Sequence, residues 1–275
     1  MKWQIRTGRS DVISKDAMVA SSQPLATQAG IEILRKGGNA IDAAVAVAAV
    51  LDVVEPFSTG CGGDAFALIH LDGNTKPLSY NGSGRSGTLI ELQDLLDKGW
   101  KEIPARGGPP VTVPGALHLW ATIIEKHGAL ELKTILEPAI HYARNGFPVS
   151  PLIGRNWPFA INVMQNDEAR RVFTVNGKAP EIGQTMKNND LGDVFEKVGK
   201  EGPEVFYSGE IAKSIVDTVQ EHGGFLTLKD LESHRTQETN ALSVSYRDVD
   251  VYEHPPNGQG FAALLMLNIM ENFDL

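Results

Sequence analysis

The feature that most constrains this fold is an apolar, small-residue segment between Asn39 and Pro56. Gly37 and Gly38 before it are typical of the end of a helix, and Asn39 is typical of the cap that starts the next helix. Pro56 predicts where that helix stops. Because alanine and valine occur nearly all round its surface, we expect the helix to be buried and to pack very close to a sheet.

A glycine-rich turn, Gly60-Cys61-Gly62-Gly63, follows this helix. Its glycines let the backbone approach something that a side chain would obstruct. It is not a phosphate cradle, because it precedes a strand and lacks the lysine that follows a P-loop. We interpret Cys61 as a small buried hydrophobic residue and not as a reactive thiol.

Composition limits the classes of function. The 275 residues are 42% apolar, which is typical of a globular protein with enough mass to bury a core. The net charge of -9, without a basic stripe, argues against nucleic acid or an anionic membrane surface as a partner. One cysteine excludes an internal disulfide framework, and no Cys/His cluster has metal-ligand spacing, so we expect no metal and no cofactor.

The N-terminal residues also bear on location. Charged residues, among them Lys2, Arg6 and Arg9, fall where a signal peptide carries its apolar run. The longest apolar run, residues 43–51, is too short to span a bilayer. We therefore expect a cytoplasmic protein with no membrane segment.

Periodicity predicts strand pairs separated by blocks of helix, which favours an α+β fold without internal repeats. The predicted strands are residues 18–21, an edge hairpin of 65–71 with 77–80, and a second hairpin of 241–246 with 249–252. The predicted helices include residues 24–36, 89–96, 114–128, 132–145, 210–222 and 228–231, and a last one that opens after Gly260. Ala29, Ile31 and Leu34 are expected on the inner face of the first helix. Residues 152–202 show only weak periodicity.

Several segments together resemble the large subunit of the gamma-glutamyltranspeptidase family. Besides the glycine-rich region they include Met18 to Ala26, Val113-Pro114-Gly115, Leu136 to Ile140, Gly202 to Tyr207, Gly223 to Thr227, and Pro255-Pro256-Asn257-Gly258. The resemblance implies an N-terminal-nucleophile hydrolase, folded as a four-layer αββα sandwich of two helical layers around two antiparallel sheets. Residues 1–275 would then be a single incomplete domain, the large-subunit part of a longer precursor.

The resemblance also implies a threonine nucleophile, which the family exposes by cutting its precursor at a Thr-Thr-His run. A new N-terminal threonine suits this role because its α-amine, with a pKa near ~7.7–8, activates the neighbouring hydroxyl. No threonine here precedes another threonine or a histidine, and Thr112, Thr227 and Thr236 read as loop, helix cap and polar turn. We therefore expect no catalytic residue in this chain. The small subunit would supply the nucleophile, the oxyanion donors and the groups that hold the substrate's α-amino group.

One substrate-binding residue is expected within the chain. In glutathione-cleaving members an arginine just after a strand pairs with the α-carboxylate of the γ-glutamyl group, a role that suits its planar fork. The corresponding segment is Tyr80 to Gly87, and Arg85 lies about two positions later than in that pattern. Ser86-Gly87 replaces the pattern's Ala-Pro pair. Arg85 either reaches the same pocket from a flexible Gly-Ser-Gly loop or is a solvated loop arginine.

The other polar residues are expected to be structural. The histidines are scattered, each without a nucleophile or second ligand at useful spacing, so we expect them to be hydrogen-bonded or solvent-exposed: His70, His118, His127, His141, His222, His234 and His254. Asp42 and Asp52 bracket the apolar helix, and Asp42 near its start suits a capping role.

The sequence is compatible with three hypotheses about function. The first is a γ-glutamyl transferase or hydrolase, acting on glutathione or another γ-glutamyl amide through an acyl-threonine intermediate, with the isolated chain inactive. The second is a related acylase for another side chain, such as a glutaryl group, which the departure around Arg85 would permit. The third is a non-catalytic scaffold with the same fold.

Overall fold

The computed structural model describes residues 11–274, which form a mixed arrangement of helices and short antiparallel strands. The helices are α1 (Pro24–Arg35), α2 (Ala40–Val54), α3 (Leu92–Asp97), α4 (Ala116–His127), α5 (Leu132–Asn145), α6 (Pro151–Val163), α7 (Asp167–Phe173), α8 (Asn189–Glu201), α9 (Glu204–Tyr207), α10 (Gly209–Glu221), α11 (Leu228–Glu232) and α12 (Gly260–Met270). The strands are β1 (Phe66–Ile69), β2 (Leu78–Asn81), β3 (Phe147–Pro148), β4 (Thr185–Met186), β5 (Gln237–Asn240), β6 (Leu242–Tyr246) and β7 (Val249–Glu253). The predicted α+β class is confirmed.

A reciprocal cap fixes the start of α2. The Asn39 side chain accepts hydrogen bonds from the backbone N–H groups of Ile41 and Asp42, and the Asp42 carboxylate accepts one from the Asn39 N–H at 2.8 Å. The same carboxylate also accepts from the backbone N–H of Ala129, just beyond the end of α4. The predicted capping role of Asp42 is confirmed, and it also joins α2 to α4.

Helix α2 is the centre of the core. Ala46, Ala49 and Val50 are completely buried, and the helix packs mainly against α1, α4 and α5. The approach to α1 is close enough that a Cβ on Gly30 of α1 would lie 2.8 Å from a Val47 methyl group. The predicted burial is therefore confirmed, but the main packing partners are helices where the sequence predicted a sheet.

The main sheet is antiparallel and has the order β1-β2-β5. The predicted pairing of β1 with β2 is confirmed, with Ala67 opposite Tyr80. The hairpin is not simply an edge, because β5, which the sequence did not predict, pairs with β2 and places it in the centre. All four side chains of β5 are polar, so the sequence shows no hydrophobic alternation by which this strand could be predicted. The strand is defined by its pairing with β2.

Two expectations near the N-terminus are wrong. Residues 18–21 form no strand, and within the described residues no backbone ladder pairs with them. Ile31 of α1, predicted to face inward, is 37% exposed, because the buried face of this helix is formed instead by Ala26, Ala29, Gly30 and Ile33.

The C-terminal part forms a small unit. Strands β6 and β7 pair across Arg247 and Asp248, whose positive φ angles of 48° and 62° confirm the predicted tight turn. Helix α12 packs on this hairpin through the buried Leu264. Most of its other large apolar side chains are exposed: Phe261, Leu265, Met266, Ile269 and Met270. No helix within residues 11–274 is long and apolar enough to cross a membrane.

The close packing of α2 predicts that a larger side chain on its buried face lowers the stability of the protein. We expect Ala46→Leu to lower the free energy of unfolding by about 1–3 kcal/mol, because the extra carbons cannot fit beside a fully buried alanine. Ala44→Leu, on the exposed side of the same helix, is the matched control and should change it by less than about 0.5 kcal/mol. Urea unfolding of both variants measures the difference, and equal losses would contradict this packing.

Candidate functional site

A polar cavity of about 830 Å³ lies where β2 ends. Its walls are the loop after β2, the residues after α11, the start of β5 and the segment before α12. The lining includes two arginines, one carboxylate and several neutral hydrogen-bonding side chains: Asn81, Ser83, Arg85, Asp230, Arg235 and Asn257.

Close backbone contacts fix the path of the loop after β2. A Cβ on Gly84 would lie 1.7 Å from the carbonyl oxygen of Val113, and a Cβ on Gly87 would lie 2.1 Å from that of Phe225. Both positions therefore require glycine for space. The Val113 N–H also donates to the carbonyl oxygen of Arg85 at 3.0 Å. Gly84, which the sequence suggested as part of a flexible Gly-Ser-Gly loop, and Gly87 instead allow the loop to pack against two other segments.

Arg85 lies on this loop with its side chain exposed at the cavity. Among residues 11–274, no carboxylate lies within ion-pair distance of its guanidinium group. A guanidinium group offers paired N–H donors in a plane, which match the two oxygens of a carboxylate. The arginine is thus placed at a cavity with its donors available.

Asp230, the acidic residue in the lining, is already hydrogen-bonded. Its Oδ2 accepts from the backbone N–H and hydroxyl groups of Thr88 and of Thr227. Burial favours the neutral acid, but these four bonds outweigh burial, and the pKa of Asp230 is lowered. The carboxylate therefore stays ionised and ties the Arg85 loop to the start of α11.

His234 forms the buried side of the cavity. Burial, followed by electrostatic repulsion from His118, Arg235 and Arg85, lowers its pKa to about 4. Its ring stacks on Tyr207 and stands edge-on to His118 at 5.3 Å between centroids. Its Nε2 is buried without a hydrogen-bond partner among the described residues. The ring is neutral at pH 7 and adds no positive charge of its own.

These groups make the cavity suitable for an anion. The Arg85 guanidinium is exposed to it, and the Arg235 guanidinium is held beside it by bonds from Nη1 to the carbonyl oxygens of Glu232 and His234. The carboxylate charge of Asp230 is spread over four donors. Since the rest of the lining is mostly neutral and polar, the local charge is positive in a protein whose net charge is -9.

The glycine-rich turn 60–63 lies outside this cavity and has a structural role. The carbonyl oxygen of Gly63 accepts from the backbone N–H groups of Gly115 and Ala116 at the start of α4. Cys61 is buried, and burial, followed by the nearby Asp52 charge, raises the pKa of its thiol. Burial also raises the pKa of Asp52 to about 7, although Asp52 accepts a bond from the Thr59 hydroxyl. The prediction that Cys61 is a buried residue is confirmed.

The histidines are less scattered than the sequence suggested. His118 and His234, far apart in the chain, are in ring contact, and His254 Nδ1 lies 2.8 Å from the Ser79 hydroxyl. The expectation that every histidine is hydrogen-bonded or exposed is wrong for His234. The prediction that Thr227 caps a helix is confirmed, since its side chain caps α11. The Thr236 hydroxyl contacts His118 Nδ1.

Sequence reasoning assigned a substrate-binding role to only one of the residues that line the cavity. Arg85 was singled out, whereas Asp230, His234, Arg235 and Asn257 were not. Asn257 lies in the Pro255 to Gly258 segment, which served only to support a resemblance. Asp230 lies in α11, and His234 and Arg235 follow it; the sequence predicts this short helix but carries no local pattern that marks these residues as neighbours of Arg85.

Comparison with known proteins gives a consistent result. A family profile described as Gamma-glutamyltranspeptidase matches residues 26–275. The chain is 43% identical over 265 residues to the glutathione hydrolase-like YwrD proenzyme of Bacillus subtilis, covering 96% of this chain and 50% of the relative. It is 35% identical to the glutathione hydrolase proenzyme of the same species, covering 96% of this chain and 46% of that protein. The chain thus spans about half the length of these curated relatives.

Solved structures agree with the sequence comparison. The gamma-glutamyltranspeptidase of Helicobacter pylori superposes with a TM-score of 0.90 at 28% identity, over 97% of this chain and 78% of that one. A cephalosporin acylase from Bacillus halodurans superposes with a TM-score of 0.88 at 38% identity, over 99% of this chain and 53% of that one. These matches confirm the predicted fold class, the N-terminal-nucleophile hydrolase sandwich of which this chain is a part.

The low pKa of His234 predicts how stability varies with pH. Between about pH 4 and 6.5 the unfolded chain binds a proton at this residue that the folded chain does not, so the free energy of unfolding falls as the pH falls through that range. We expect His234→Phe, whose ring can still stack, to make the free energy of unfolding depend less steeply on pH. The reduction should correspond to at most one bound proton. The matched control is His70→Phe at an exposed site. Denaturant unfolding at several pH values tests this, and an unchanged slope in His234→Phe would contradict it.

Proposed function

Because the chain belongs to the gamma-glutamyltranspeptidase family, we propose that it forms the acyl-group-binding half of an enzyme that transfers or hydrolyses γ-glutamyl groups. The observation that carries this proposal is the position of Arg85, exposed at a polar cavity without an ion-pair partner among residues 11–274. In that place its planar fork binds the free carboxylate of the acyl group. The carboxylate fixes the substrate's orientation at the site of reaction.

The attacking group is proposed to come from polypeptide outside these 275 residues. A threonine at a new N-terminus carries an α-amine that activates its own hydroxyl, which then forms an acyl-threonine intermediate. No threonine in the chain has the sequence context for this, and Thr227 and Thr236 are held in structural hydrogen bonds. In this proposal residues 1–275 form one domain that is incomplete without a small subunit of the same precursor.

Helix α12 supports the proposal of a covering partner. Leu265, Met266 and Ile269 are each more than half exposed, so the helix presents apolar side chains on several sides. Monomeric proteins rarely expose large contiguous apolar patches, so these exposed side chains favour a covering partner. The proposed occupant is the small subunit, and the coverage of only half of the relatives' length agrees with this choice.

A second candidate is an acylase for a glutaryl-type side chain. The similarity to a cephalosporin acylase and the replacement of an Ala-Pro pair by Ser86-Gly87 favour it. A glutaryl group keeps the carboxylate that Arg85 would bind but lacks the α-amino group. Comparing γ-glutamyl and glutaryl p-nitroanilides as substrates therefore separates the two functions, whereas a non-catalytic scaffold would turn over neither.

The division of the active site predicts that the chain is inactive alone. We expect no release of p-nitroaniline from γ-glutamyl p-nitroanilide by the purified 275-residue chain, and release when it is produced together with its coding continuation. The threonine-to-alanine variant at the new N-terminus is the control that should abolish activity. Turnover by the isolated chain would refute the proposed division.

Replacing the arginine should weaken substrate binding more than chemistry. We expect Arg85→Gln in the complete enzyme to raise KM for the γ-glutamyl anilide roughly 10- to 100-fold, with kcat changed less than about threefold, because a charge-assisted contact made before the chemical step is lost. Arg155→Gln is the matched control, an exposed arginine on α6 outside the cavity. Steady-state kinetics measures both constants, and a KM for Arg85→Gln like that of the control would count against this role.

A further inference from the structure

Asn257 joins three parts of the cavity wall. It lies between β7 and α12, and its Oδ1 accepts a hydrogen bond from Asn81 Nδ2 at 3.0 Å and lies 3.1 Å from Ser83 Oγ. Its Nδ2 lies 2.9 Å from Ser83 Oγ, so the amide also donates to that hydroxyl. One exposed side chain thus bridges the end of β2 and the loop that follows it.

The two partners of Asn257 are themselves connected. Asn81 is the last residue of β2, and its Oδ1 accepts from both the backbone N–H and the hydroxyl of Ser83, each at 2.8 Å. Arg85 follows two residues later. Beyond this point the loop is held by the bond from Gly84 N–H to Asp64 and by the close contact of Gly84 with Val113. The Asn81, Ser83 and Asn257 group is therefore the anchor at the strand end of the Arg85 loop.

Asn257 also belongs to the C-terminal unit of β6, β7 and α12. The contacts of α12 are chiefly with that hairpin. Among the described residues, side-chain hydrogen bonds between this unit and β2 or the loop after it pair His254 with Ser79, and Asn257 with Asn81 and Ser83. The segment that enters α12 is thus hydrogen-bonded directly to the strand end that carries the Arg85 loop.

We propose that Asn257 is a positioning residue that couples the place of α12 to the place of Arg85. Its amide holds the first turn of the loop against the segment that enters α12, so the C-terminal unit sets where the guanidinium stands in the cavity. A protein surface that covers α12 then also fixes the carboxylate-binding group. The consequence for substrate rests on the function proposed above, whereas the anchoring of the loop does not.

The anchoring is tested on the 275-residue chain without any substrate. Amide hydrogen exchange across residues 82–86 should become roughly three- to tenfold faster in Asn257→Ala, because the side chain that braces this turn is lost. Asn240→Ala is the matched control. This exposed asparagine lies at the end of β5 that is opposite Leu78, away from Asn81. Exchange in Asn257→Ala equal to that in the control would overturn the proposal.

A double-mutant cycle shows whether the contact with Ser83 carries the effect. Ser83→Ala and Asn257→Ala should not be additive in their effect on exchange, since either change breaks the same bonds. Ser83→Ala with Asn240→Ala should be additive. Additive behaviour in the first pair would mean that Asn257 acts without Ser83, which contradicts the proposed anchor.

Kinetics of the complete enzyme separates positioning from general damage. Asn257→Ala should raise KM for γ-glutamyl p-nitroanilide roughly three- to tenfold with little change in kcat, and should not alter KM for butyryl p-nitroanilide, which has no carboxylate for Arg85. A rise for both substrates, or for neither while Arg85→Gln raises the γ-glutamyl KM, would overturn the positioning role. If no variant turns over a γ-glutamyl substrate, the proposed function fails, and hydrogen exchange alone decides the role of Asn257.

Discussion

The position of the site depends on close backbone contacts between three segments, which glycines allow because they place no side chain between the segments. A Cβ on Gly84 would overlap the carbonyl of Val113, and a Cβ on Gly115 would lie 1.8 Å from the carbonyl oxygen of Gly82. Gly87 meets Phe225 in the same way. Because no other residue type fits these contacts, the loop after β2, the start of α4 and the segment before α11 hold each other in place. Arg85 inherits its position from that arrangement.

Electrostatics then gives the position its chemical meaning. The chain is acidic overall, yet the cavity presents the guanidinium groups of Arg85 and Arg235. The one acidic side chain in its lining, Asp230, accepts hydrogen bonds from two threonines. His234 is buried, and its lowered pKa leaves it neutral. An anionic group that enters the cavity therefore meets donors whose charge is not already paired within the described chain.

Sequence reasoning predicted the elements with strong local signals. The cap at Asn39, helix α5, the hairpin turn at Arg247 and the buried Cys61 all follow from neighbouring residues, and all are present. It failed where the signal is not local. Strand β5 is polar and exists because β2 offers it a hydrogen-bonding edge, and residues 18–21 have strand-like composition but no partner strand among the described residues.

For the candidate site, too, the sequence predicted what depends on local residues and missed what depends on contacts between distant residues. The sequence alone determined the fold family, the arginine to consider and the absence of a suitable threonine, because these are properties of residue types and their order. Only the tertiary structure decided that Arg85 stands at a cavity, that His234 and Asp230 share it, and that Asn257 reaches back to Ser83. Those contacts join residues more than a hundred positions apart, and the packing of glycine backbones, which leaves no periodic pattern in the chain, brings them together.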